Sequence, residues 1–184
     1  MTKKYFPDNL SPVNKTPRAL RRYGLKMGYT GLMHYRTNNL VDAPIKIEGF
    51  KERFYDVEKL AKRINSVSLI TGLFDISFEK IADLSKLLPE DIFNQLPYYY
   101  MQLYSDINLN PTKIGLNQGE VDRLAKYSVK SFGRIYLQLV KIEAKEHKVS
   151  REAVFFRNVR SKYLEILKGL DSSDPVEESM FFNG

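Results

Sequence analysis

From Phe50 onward apolar residues recur at three- and four-residue spacing: Phe50, Phe54, Val57, Leu60, Ala61 and Ile64, with Lys51, Glu52, Glu58, Lys59 and Arg63 between them. Such positions fall on one face of a helix with 3.6 residues per turn, so the spacing predicts an amphipathic helix. The run 66–76 is apolar and β-branched and fits a strand, a helix or a buried connector equally well. Ser77 offers an N-cap for a helix carrying Phe78, Ile81, Leu84 and Leu88. Pro89, followed by Glu90 and Asp91, opens another short helix, because proline suits the first turn and acids suit the positive helix end. Pro97 is expected to end or kink it. The stretch Tyr98 to Tyr104 is the most aromatic in the chain and could be core or surface; so much aromatic area is expensive to expose, which favours the core. Asn108 to Gly115 has the composition of a loop.

The strongest signal begins at Asn117. With Glu120 three residues on it forms a capping-box pattern, and Val121, Leu124, Ala125, Ser128, Phe132, Ile135, Tyr136, Leu139 and Ile142 then hold one face to residue 146. One helix of that length would extend roughly 40 Å. Ser150 is the next N-cap, Val149 and Val154 are spaced as a hydrophobic staple, and Phe156, Val159, Tyr163, Ile166, Leu167 and Leu170 continue a second face toward Gly169. The short link between the two helices predicts an antiparallel pair. The expected fold is therefore mainly α: a helical bundle with a long C-terminal helical hairpin. A small β-hairpin near Leu40 to Ile47 is the alternative for that segment.

The first 45 residues have a different pattern. Pro7, Pro12 and Pro17 recur every five residues and bias their neighbours toward extended backbone. Thr16 and Pro17 could start a short helix over Arg18 to Tyr23, with Thr16 as its cap. The rest, mixing Gly24, Gly28 and Gly31 with aromatic, Met and Leu residues, is expected to stay extended until a partner organises it.

Charge sharpens this division. The chain has 184 residues and a formal charge of +7. Residues 1–41 carry eight basic residues and one acid, Asp8, so the whole excess sits there, and the remainder is neutral. Asp171, Asp174, Glu177 and Glu178 make the last 14 residues acidic. The expected organisation is a basic extended arm (1–45), a helical domain (46–170) and an acidic tail (171–184).

Candidate chemistry is thin. Without cysteine there is no disulfide, thiolate metal site or thiol nucleophile, and two histidines, His34 and His147, do not make a metal centre. Glu143 and His147 share a helix face at i, i+4 but need a third ligand. Asp75, Glu79 and Asp83 recur every four residues, as on a solvated helix face. The glycines at 24, 28 and 31 lack phosphate-loop spacing. Residues 80–96 have the outline of a helix-turn-helix, yet Lys86-Leu87-Leu88 occupies the turn and Glu90 and Asp91 would face phosphates. Neither catalytic residues, a metal nor a cofactor is expected. No segment has the apolar length of a membrane span and the first residues lack a signal peptide's apolar core, so the expected setting is cytoplasmic or a virion, without membrane contact.

Two functional expectations follow. One is a non-enzymatic subunit of a larger assembly, of the kind found in a virion, a phage connector or a ribonucleoprotein, docking on other protein subunits or on copies of itself. Its contacts would be Arg18, Arg21, Arg22, Lys26, Tyr29, Tyr35 and Arg36, with Phe181 and Phe182 as a second docking element, because exposed phenylalanines at a chain end are costly in water. The other is a small DNA- or RNA-binding protein, in which the same cations contact phosphates and the same rings stack on bases.

Overall fold

The computed structural model describes residues 9–125, 129–146 and 151–169. Along it run β1 (Leu10–Pro12), α1 (Thr16–Leu20), a 3₁₀ turn (Arg21–Tyr23), α2 (Tyr29–Thr37), β2 (Ile45–Lys46), β3 (Arg53–Asp56), α3 (Val57–Phe74), α4 (Phe78–Leu87), α5 (Glu90–Leu109), a 3₁₀ turn (Pro111–Ile114), α6 (Gln118–Leu124), α7 (Val129–Glu146) and α8 (Glu152–Gly169). The chain is mainly helical, with a small antiparallel sheet in the order β1-β3-β2.

Helix α3 organises the rest. The helix expected from Phe50 starts only at Val57, because Asp56 caps it: its carboxylate accepts from the Lys59 N–H at 3.0 Å. Phe54 and Tyr55, read as part of that helix, instead alternate across β3, pairing with Pro12 and Ser11 of β1. Ile45 pairs with Phe54 and Lys46 with Arg53, so a small hairpin exists, its first strand inside the 40–47 segment and its second, β3, beyond it. The ambiguous run after Ser66 continues α3 to Phe74, where Asp75 takes a left-handed conformation (φ 52°) and stops it.

The two halves of α3 serve different cores. Leu60, Ala61 and Ile64 pack with Leu20, Leu32, Val41, Tyr55 and Val57 into an N-terminal cluster. Val67, Ile70 and Phe74 enter a much larger cluster built by α4, α5, α7 and α8. Its centre is aromatic: Phe74 and Tyr100 lie 4.8 Å apart, Tyr100 and Tyr136 5.0 Å, and Tyr136 and Tyr163 5.8 Å. The Tyr163 hydroxyl donates to the Phe132 carbonyl at 3.3 Å. α7 approaches α3 closely at Gly133, where an added Cβ would lie 2.8 Å from the Phe74 ring. The buried Glu143 carboxylate on α7 accepts from Asn158 at 2.8 Å and Lys162 at 2.9 Å on α8, which offsets the cost of burying its charge.

Several expectations needed correction. α5 runs through Pro97 to Leu109, since Leu96, Tyr100, Leu103 and Ile107 are all buried on either side of the missing N–H. Of the Tyr98 to Tyr104 run, Tyr100 and Leu103 are core, whereas Tyr98 and Met101 are exposed. The Asn117–Glu120 capping box is present, with both bonds made, but it opens the short α6, and α7 begins afresh at Val129. The two do different work: α6 packs on α8, α7 on α3, α4 and α8. Ser77 caps α4 as expected. Val149 and Ser150 lie outside the described residues.

The largest difference is in the segment expected to be an extended arm. From residue 9 it is packed: α1 and α2 lie against each other, α1 contacts α3, and Leu20, Leu32 and Leu40 are fully buried. Thr16 is not the cap of α1 but its first residue. Its buried hydroxyl donates back to the Pro12 carbonyl at 2.9 Å and fastens α1 to the end of β1.

Candidate functional site

Arg18 is exposed on α1, opposite the buried Thr16 and Leu20, and Arg21, Arg22 and Tyr23 follow on the 3₁₀ turn. Gly24 ends that turn at φ 77°, where a side chain would be strained, and lets the chain swing through Lys26 toward α2. Pro17, Arg21, Gly24, Lys26, Met27 and Gly28 line a shallow cavity of about 400 Å³. Arg18, Arg21, Arg22 and Lys26 make no ion pair or side-chain hydrogen bond among the described residues. Residues 9–41 contain no acid that could supply one. Tyr23 and Tyr29 are 43% and 54% exposed beside these cations.

On α2, Tyr29, Leu32 and Arg36 share a face by their i, i+3, i+7 spacing. Leu32 is buried in the N-terminal cluster together with Tyr55. Burial pushes the Tyr55 hydroxyl pKa up, Arg36 pulls it back down, and Tyr29 adds to the rise. Tyr35 points elsewhere: it packs between the two hydrophobic clusters, its ring 5.5 Å from Phe78, and its hydroxyl pKa is raised by burial. The structure thus separates Tyr35 from the exposed residues of the expected contact set. Phe181 and Phe182 lie outside the described residues.

Two polar features escaped the sequence reading. Arg63 lies with its guanidinium carbon 3.7 Å over the Phe93 ring and donates from Nε to the Leu40 carbonyl at 2.8 Å, and burial lowers its pKa. With Phe54, Leu60 and Leu88 it lines a cavity of about 260 Å³ between the two clusters. Lys59 beside it bridges Glu90 at 2.9 Å and Asp42 at 3.0 Å, which raises its pKa. This is a polar joint that ties α3 to α5 and to the strand-side loop. The second feature is Tyr55 itself, whose hydroxyl is buried without a hydrogen-bond partner among the described residues. Neither was legible, because both depend on which residues long-range packing sets beside them. Among the described residues no three His, Asp or Glu side chains gather as metal ligands, and no helix is long and apolar enough to cross a membrane.

Comparison of the chain with protein-family models, with curated proteins and with solved structures finds no match.

Proposed function

We propose that the protein is a non-enzymatic subunit of a nucleoprotein assembly, such as a virion, a phage connector or a ribonucleoprotein, that meets nucleic acid through its N-terminal layer. The observation that supports this is the set of exposed cations Arg18, Arg21, Arg22 and Lys26, unpaired among the described residues, with the exposed rings of Tyr23 and Tyr29 among them. Cations without partners among the described residues are able to neutralise phosphates and release counterions, and exposed tyrosines offer stacking faces. The test is fluorescence anisotropy of labelled oligonucleotides over a salt series. Replacing Arg18, Arg21, Arg22 and Lys26 together by Gln should remove roughly three units from the slope of log K against log salt. Absent or salt-insensitive binding would sink the reading.

Contact with further protein subunits is favoured by a separate observation: Tyr98 and Met101 on α5 and Leu109 at its end are exposed apolar side chains, Leu109 at 74%. Phe181 and Phe182 would add to such docking. Light scattering of the intact chain should then show a particle heavier than one copy. A strict monomer that captures no subunit from its native assembly removes this part.

A further inference from the structure

An arginine with one face stacked and one edge bonded still has an open end. The Arg63 guanidinium lies 3.7 Å over the Phe93 ring, and its Nε donates to the Leu40 carbonyl at 2.8 Å. Its two Nη groups make no hydrogen bond or ion pair among the described residues. The cavity of about 260 Å³ that Arg63 lines is walled from both clusters: Val41 and Leu60 belong to the N-terminal one, Leu40 and Leu88 to that of the body, and buried Phe54 joins them. Carboxylates line the same cavity, but they are engaged. Lys59 holds Asp42 and Glu90, whose side chains are 81% and 43% exposed, so water screens them as well. Asp56 accepts from the Lys59 N–H and from Asn9. Among the charges of this cavity, Arg63 is the one left without an ion pair, and it is half-buried between apolar walls.

We propose that this cavity binds a small apolar monocarboxylate. The two Nη groups of Arg63 take the carboxylate in the forked geometry that arginine offers and lysine does not, and the body of the ligand lies on Leu40, Phe54, Leu60 and Leu88. Size limits the class. At about 30 Å³ per water the cavity holds roughly nine waters, so a ligand of about nine non-hydrogen atoms, the size of benzoate, fills it. Charge limits it too, because the three carboxylates Asp42, Asp56 and Glu90 repel a dianion such as a phosphate monoester more than a single carboxylate. With walls drawn from both clusters, the bound ligand ties the N-terminal layer to the body. The site stands apart from the nucleic-acid reading, since none of Arg18, Arg21, Arg22 and Lys26 lines it.

The test titrates the intact chain with benzoate, benzyl alcohol, benzylamine and phenyl phosphate, followed by calorimetry and by backbone amide NMR shifts. Benzoate should bind saturably, one molecule per chain, and move the amides of residues 39–43 and 60–63. The other three should bind about tenfold more weakly or less, the loss expected of one hydrogen bond to a charged group. Arg63→Gln should weaken benzoate by about tenfold and leave benzyl alcohol unchanged. Arg63 also holds the Leu40 carbonyl, so a second variant leaves it in place: Ala43 is an exposed loop residue that lines the cavity, and Ala43→Trp should keep the wild-type urea midpoint while its ring fills the space and abolishes benzoate binding. Benzoate that fails to saturate, or that binds Ala43→Trp as tightly as wild type, overturns the proposal. Benzylamine binding more tightly than benzoate overturns the monocarboxylate assignment and gives the cavity to its acids.

Discussion

The body and the N-terminal layer share one helix and little else. The body buries 28 residues in one cluster, and within it the Glu143 carboxylate is answered by Asn158 and Lys162. The layer buries only eight in its own cluster and, among the described residues, keeps Arg18, Arg21, Arg22 and Lys26 unpaired outside and leaves the Tyr55 hydroxyl unbonded inside. The body has such an atom as well, since the Asn94 Oδ1 on α5 is buried without a partner among the described residues. The difference lies at the surface, where cations that meet no carboxylate among the described residues are open to a partner. On the proposed function, the body is the scaffold and the layer makes the contact.

The sharpest way to break the contrast is to injure each core in turn. Phe74→Ala removes the ring that touches Tyr100 and stacks toward Tyr136, and it should cost about 3–5 kcal/mol in urea denaturation, with loss of the whole cooperative transition. Leu32→Ala should cost less, about 2–3 kcal/mol, because the thin layer can settle onto the gap. Its hydrogen-exchange signature should be confined to residues 9–41, while amides of α5 and α7 keep their protection. Equal loss of protection in both regions would show that the layer and body unfold as one.

Alkaline pH sharpens the contrast from the body's side. Burial pushes the hydroxyl pKa values of Tyr100, Tyr136 and Tyr163 well up. Below about pH 10 these groups are neutral in both folded and unfolded chains, and their contribution is fully present. Above that pH the unfolded chain ionises and releases protons that the folded chain retains. Stability therefore falls as pH rises, by up to about 1.4 kcal/mol per unit for each tyrosine. The urea midpoint should drop steeply from about pH 10 upward, and Tyr136→Phe should flatten the drop. An unchanged slope in that variant would mean that Tyr136 does not resist ionisation.

The body was the legible region because its information is local. Ser77 and the Asn117–Glu120 pair announce helix starts through bonds spanning three residues, and the apolar spacing of α4, α7 and α8 marks the buried side. The layer was illegible for the opposite reason. Leu20, Leu32 and Leu40 are isolated among prolines, glycines and cations; the first two are buried with residues of α3 and β3, and Leu40 joins the large body cluster, all distant in sequence. Pro97 misled because tertiary packing of Leu96 and Tyr100 outweighs one absent hydrogen bond. At the candidate site, Arg18 to Arg36 could be chosen from charge alone, but Tyr55 could not. It reads as an ordinary strand tyrosine until Leu20, Leu32 and α3 gather with it in one cluster.

The smallest expected effect tests the joint between the two regions. Asp56 and Asn117 are both N-caps, and replacing either by Ala should cost about 1 kcal/mol. Asn117 serves α6 alone, since its side-chain oxygen accepts from the Glu120 N–H and its own N–H donates to the Glu120 carboxylate. Asp56 does two things: one carboxylate oxygen caps α3 and the other accepts from Asn9 at 2.8 Å, while the Val57 N–H donates to the Asn9 carbonyl. Asp56→Ala should therefore loosen β1 as well as α3. Amide exchange at Leu10 to Val13 should speed up in Asp56→Ala and stay at the wild-type rate in Asn117→Ala, although the two variants lose similar global stability. If β1 exchanges alike in both, the layer is held by its small hydrophobic cluster alone, and the carboxylate at the strand-to-helix turn is only a cap.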